Sequence, residues 1–308
     1  TTSQMKPITA RFLLPFLLLG ACTAPVQETG LPDLITEQYQ EPNQRQNLEV
    51  GNLMVECERH LRSWKTSMNT PRSDANRAAI HATELALATV VHREQRQLEE
   101  QAISGPTRNR AIASAALGFS GDNSVLPLLL NNVGSDDDLV ASSALLGLGI
   151  LADETTSLAP MYEKVMDIEA SENVLRNSAF AALRICNRWR KDPDGTLSSI
   201  LTSLLTRSFP EVRGQAAIGL GLIRASHTVP LLQTRLKEDV PNNRMAAAWA
   251  LGEIGSLGSA ASLIDALSDE DTLVAGTARA SLAKIFGRDW GKDAPAWRVQ
   301  LEAAITPH

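Results

Sequence analysis

The side chains able to do chemistry are few and scattered. Histidine occurs only at positions 60, 81, 92, 227 and 308. Glu56/His60 and His81/Glu84 stand at i,i+4 and i,i+3 spacing, so each pair shares one face of a helix. A metal centre needs three or four converging ligands, and these pairs read as surface pairs; no metal and no other cofactor is expected. Cys57 and Cys186 fall at apolar positions and read as small core residues, a disulfide between them being the alternative. Carboxylates gather at Asp136-Asp137-Asp138, Lys237-Glu238-Asp239 and Ser268-Asp269-Glu270-Asp271. Each cluster stands just before an expected helix, where a carboxylate can accept from free N–H groups and favour the helix dipole. The spacing of a calcium loop is absent. So are a Gly-x-Ser-x-Gly elbow and a phosphate loop, and Gly147-Leu148-Gly149 and Gly219-Leu220-Gly221 lie in Ala/Leu segments as packing glycines. No catalytic residue is assigned, and the chain reads as a non-enzyme.

One cysteine differs in context. After Met5, the expected start, come Lys6, Arg11, the apolar run Phe12 to Leu19, and then Gly20-Ala21-Cys22. A basic region, a short apolar run broken by Pro15 and small residues before a cysteine describe an export signal. The run is far short of the roughly 20 residues of a spanning helix. Leu19-Gly20-Ala21-Cys22 resembles the lipobox of bacterial lipoproteins. That resemblance implies cleavage before Cys22, acylation of its thiol and amine, and a lipid anchor in a bacterial envelope; an ordinary secretory signal is the alternative. Thr23 stands where Asp often marks inner-membrane retention, so the outer membrane facing the periplasm is expected. Residues Thr23 to Asn47, rich in Pro, Glu, Gln and Thr, read as a tether with a reach of roughly 25–30 Å.

Beyond the tether, periodicity takes over. Small-residue segments recur, each with a late leucine: Arg110 to Leu117, Val140 to Leu148, Arg176 to Leu183, Val212 to Leu220, Arg244 to Leu251 and Val274 to Leu282. The leucines are separated by 31, 35, 37, 31 and 31 residues. About ten residues after each comes a turn and a second apolar segment, often with proline in its first turn, as at Pro127, Pro160 and Pro230. The longer spacings follow from an inserted turn between Asn187 and Gly195. Two helices repeated six times make an all-α solenoid.

The units resemble HEAT repeats, particularly the short repeats of phycobilisome lyases; Val212-Arg-Gly-Gln-Ala-Ala-Ile-Gly-Leu-Gly221 carries the resemblance best. It implies that Arg110, Arg176, Arg213 and Arg244 are structural, bracing neighbouring repeats through acidic or backbone groups. Ala141 and Ala275 depart from that position. The di-iron hydroxylases built on HEAT repeats take their ligands from paired His-Glu motifs, and no His-Glu dipeptide occurs here.

Upstream, Leu53, Cys57, Leu61 and Trp64 mark one apolar helix face, and Ile80, Leu87, Val91, Leu98 and Ala102 another. The division is therefore a signal peptide (1–21), a lipidated Cys22 with tether (22–47), an N-terminal helical cap (48–104), HEAT-like repeats (105–290) and a C-terminal capping helix (291–308), with Trp290 and Trp297 in a closing segment that spans the last boundary. The 308 residues are 44% hydrophobic but 4% aromatic, as thin Ala/Leu layers require, and signal cleavage would deepen the net charge from -6 to -8. That charge excludes an electrostatic nucleic-acid binder. The function expected is a membrane-anchored scaffold for an unidentified protein partner, which would dock on the second helices at Asn131, Asn132, Tyr162, Lys164, Gln233, Arg235 and Lys237. A lyase-like enzyme or accessory subunit, and a structural envelope component, are the alternatives.

Overall fold

The computed structural model describes residues 44–71 and 73–306. Cys22, the signal and most of the tether lie outside the described residues. All regular structure among the described residues is helical. A long hairpin, α1 (Gln44–Asn69) and α2 (Asp74–Ser104), precedes six helix pairs. These are α3 (Thr107–Leu117) with α4 (Leu126–Val133), α5 (Asp138–Leu151) with α6 (Ala159–Met166), and α7 (Glu172–Trp189) with α8 (Thr196–Leu205). Then come α9 (Pro210–Leu222) with α10 (Val229–Glu238), α11 (Pro241–Ile254) with α12 (Ala260–Asp265), and α13 (Thr272–Phe286) with α14 (Ala294–Ile305).

The first helices, α3, α5, α7, α9, α11 and α13, pack side by side in one row. Second helices form the other row; α4, α8, α10 and α12 each pack on the first helix that follows. The six periodic leucines, at 117, 148, 183, 220, 251 and 282, are all buried. Each contributes on the order of 1.5–3 kcal/mol. The residue after each leucine decides how closely the next layer can approach. A Cβ at Gly118 would stand 2.6 Å from the Gly147 carbonyl oxygen, one at Gly221 2.8 Å from Ala250 Cα, and one at Gly252 2.4 Å from Ser281 Oγ. In the third pair this place is held by Arg184, whose Nε donates back to the Gly149 carbonyl at 3.3 Å. In the last it is Ala283.

Both ends are closed by aromatic packing. On α1, Leu53, Cys57, Leu61 and Trp64 are buried as their spacing predicts, and α1 lies on α2 and α3. Trp64 reaches beyond the first pair: its ring meets Phe119 edge-on at 5.5 Å and Phe180 of α7 at 6.1 Å, while Nε1 donates to Glu84 at 3.1 Å. At the far end Trp290 and Trp297 pack edge to face at 4.9 Å, Phe286 lies 5.8 Å from Trp297, and Trp297 Nε1 donates to the Gly291 carbonyl. The expected separate capping helix is α14. It packs on α12 as α6 does on α4 and α8 on α6, so it takes the second-helix place of a sixth pair.

Candidate functional site

The repeat arginines form a graded series. Arg213 on α9 grips Asp239 at the end of α10 with two 2.6 Å bonds, and its remaining nitrogen donates to the Arg207 and Ser208 carbonyls. Arg244 on α11 repeats the fork on Asp269 at 2.9 and 2.8 Å and also donates to the Asp239 carbonyl. Burial alone would discourage charge at Asp239 and Asp269. The guanidinium facing each, helped by backbone N–H donors, overrides it and holds both carboxyls below their usual value. Arg176 is half-exposed, paired with Glu172 on its own helix and with Glu211 at 3.4 Å. Arg110 has no carboxylate; it donates to Asn132 Oδ1 at 3.1 Å.

That bond removes Asn132 from the expected docking residues. Asn132 is buried, and its amide donates to the Ala102 carbonyl and to Ser114 Oγ, tying α2, α3 and α4 together. It answers Arg110 from within α4, 22 residues on, whereas Arg213 and Arg244 find their acids 26 and 25 residues on, so the offset of the later repeats does not point to it. A second departure concerns Asp239. Expected as a helix cap, it accepts from the Asn243 amide and the Val240 N–H and serves chiefly as the counter-ion of Arg213. Asp137 and Asp271 do cap α5 and α13.

The other second-helix candidates divide by what they touch. Asn131, Tyr162 and Lys237 are exposed. Lys164 Nζ donates to the Ser135 carbonyl at 2.7 Å and Gln233 Nε2 to the Gly258 carbonyl at 2.9 Å, each linking one repeat to its neighbour. Arg235 lies 3.9 Å from Asp239, at the margin of the Arg213 pair. The row therefore offers three free polar or aromatic side chains, and three more whose first duty is to the stack.

Other chemistry is sparse. Among the described residues no group of three or more His, Cys, Asp or Glu is placed to hold a metal. Cys57 and Cys186 are free and buried, in α1 and α7; burial pushes the Cys57 thiol up to about 12 and Cys186 also upward. The inserted turn after α7 opens a shallow cavity of about 550 Å³ between Tyr162, Trp189 and Thr196. Its two carboxylates already serve α8: Asp192 accepts from the Leu197 and Ser198 N–H groups, and Asp194 from Thr196. No described helix is long and apolar enough to cross a membrane.

Comparison with known proteins adds to the fold. Residues 198–283, from α8 into α13, match the family model for HEAT repeats. No curated protein matches the chain. Among solved structures, a designed armadillo repeat protein is similar at 17% identity, covering 61% of this chain and 98% of its own, with a TM-score of 0.49. The complex of CpcE and CpcF of phycocyanin lyase from Nostoc sp. is similar at 16% identity over 90% of this chain and 98% of that one, with a TM-score of 0.37. Human deoxyhypusine hydroxylase is similar at 18% identity over 77% and 96%, also at 0.37. Family match, repeat period and paired helices agree on a HEAT-like repeat solenoid.

Proposed function

We propose that the protein is a non-enzymatic adaptor that holds a protein partner at a bacterial membrane surface, anchored by a lipid on Cys22. The observation that carries this reading is how the chain uses its own extra helices. The α1–α2 hairpin packs on the first helix α3 and sends Trp64 across to Phe180, while Asn131, Tyr162 and Lys237 on the second helices stay open. A stack that shields one side with its own chain and leaves an extended surface on another suits a binding scaffold. The polar side chains that are buried are spent on bracing, as Arg213, Asp239 and Asn132 are. The expected tether gives up its last residues, 44–47, to α1; a tether of about 20 residues would set the solenoid off the bilayer, and two or three acyl chains exceed what stable anchoring needs.

Membrane fractionation of the wild type and Cys22→Ser tests the anchor. The wild type should sediment with membranes and the variant should appear in the soluble fraction; a variant that stays with membranes refutes lipidation as the anchor. Affinity capture with the triple variant Asn131→Ala, Tyr162→Ala, Lys237→Ala, which spares the side chains that brace the stack, tests the face. Partner recovery should fall, and recovery equal to wild type would discard the second-helix row as the docking surface.

A further inference from the structure

The two edges of the solenoid differ in charge. The turns between repeats (134–138, 167–172, 206–211, 237–241 and 268–272) hold twelve carboxylates and only two cations, Arg207 and Lys237. The turns within repeats (118–125, 152–158, 190–195, 223–228, 255–259 and 287–293) hold seven carboxylates and five cations. Five cations reach the acidic edge from the flanking helices, Lys164, Arg176, Arg213, Arg235 and Arg244, but each is committed to a specific bond or ion pair. Asp136, Asp138, Glu169 and Glu238 remain exposed and face solvent as free carboxylates.

Exposed apolar side chains stand in these turns or at the first residue beyond them. Ile168 is 83% exposed, and Leu139, Val240 and Leu273 are 51%, 42% and 54% exposed. Isolated exposed apolar residues are ordinary. Here they recur in, or immediately after, four of five consecutive turns, and cross-turn bonds make those turns one continuous strip. Lys164 joins the second turn to Ser135 in the first, and Arg207 of the third donates to the Val165 and Asp167 carbonyls beside the second. Arg213 joins the third to Asp239 in the fourth, and Arg244 joins the fourth to Asp269 in the fifth.

We infer that this edge is a docking strip for an extended, basic segment of a partner protein bearing apolar residues at about every third position. The inference rests on the adaptor reading and names the partner's chemistry. Packed helices lie about 8–10 Å apart, and an extended polyproline-II segment advances about 3.1 Å per residue with three residues per turn, so every third side chain faces the strip and meets a new turn. Lysine or arginine between the apolar residues meets the free carboxylates, and charge complementarity of this kind sets specificity and association rate. Five turns accommodate a segment of about 12–15 residues.

The test uses the full chain and fluorescent fifteen-residue peptides. One carries leucine at every third position among lysines; a second has the same composition with the leucines in one block. The regular peptide should bind more tightly, and added salt should weaken it. Neutralising Asp138→Asn, Glu169→Gln and Glu238→Gln together should weaken binding about tenfold, whereas neutralising Glu154→Gln, Asp293→Asn and Glu302→Gln elsewhere should change it less than about twofold. Replacing Leu139, Ile168 and Val240 by Ser should also weaken binding, with an unchanged circular-dichroism melt showing the fold intact. Equal losses from the two charge variants, no loss from the apolar variant, or no preference for the regular peptide would each overturn the proposal. If no peptide binds but the membrane-bound protein still captures its partner through the Tyr162 face, the strip is wrong and the adaptor reading survives. If partner capture fails as well, both are wrong.

Discussion

Removing the Arg213 guanidinium is the sharpest perturbation of the stack. Its partner Asp239 has a fully buried side chain, and the Arg213 side chain is 12% exposed. In Arg213→Ala, Asp239 keeps its bonds from Asn243 and Val240 but loses both guanidinium bonds and its directly bonded counter-ion, with Arg235 left 3.9 Å away. Breaking a buried pair from one side costs about 3–5 kcal/mol, because an uncompensated charge is left behind. For a chain of this size that lowers the midpoint by roughly 2–4 °C per kcal/mol, or about 10 °C in all. Arg279→Ala supplies the control: its bidentate bonds to Asp289 lie between half-exposed side chains, where solvent screening leaves such a pair little effect on stability. Thermal unfolding by circular dichroism gives the difference, and amide exchange across α9 to α11 locates it. The effect should also depend on pH. Because the folded Asp239 carboxyl lies below its usual value, its stabilisation is present above the unfolded carboxylate range near pH 4 and is lost as pH falls through the folded value. The wild-type advantage over Arg213→Ala should therefore shrink in acid. Equal losses in Arg213→Ala and Arg279→Ala at neutral pH would refute the bracing argument.

Other consequences follow from packing. Gly252→Ala puts a methyl against Ser281 and should cost about 1–3 kcal/mol in urea unfolding, whereas Gly276→Ala on the open side of α13 should gain about 0.5–1 kcal/mol. Trp64→Ala should cost about 3–5 kcal/mol and raise amide exchange throughout α1, since Phe119 and Phe180 both lose their partner ring. Cys57 and Cys186 should be silent to a thiol reagent at pH 8 in the folded protein and should react on unfolding; rapid labelling of the native chain would contradict their burial.

The repeat was legible because it is written in residues whose size the packing dictates. Leucine fills the hole between layers, the following glycine admits the next helix, and proline opens a second helix where its missing N–H costs nothing. The arginine positions were legible from the resemblance to HEAT repeats. Their partners were not, because Asn132 and Asp239 lie on a different helix or at its end, and polarity alone suggested solvent for one and a cap for the other. Nothing periodic announces that Trp64 meets Phe180, since α1 lies outside the repeat. The acidic turns were visible as clusters, but which side chain projects from each depends on the bonds between turns. Arg184 in a glycine's place marks the third pair as the point where the pattern bends.

The central claim, an adaptor that docks a protein on its second helices and acidic edge, is tested most directly by lysine cross-linking of the membrane-held protein followed by mass spectrometry. Lys164 and Lys237 lie on the proposed surface; Lys284, paired with Glu253 on the first-helix side, lies away from it. The account predicts that cross-links to a partner enter through Lys164 and Lys237 and not through Lys284. Cross-links concentrated at Lys284, or none above an untagged control, would contradict it.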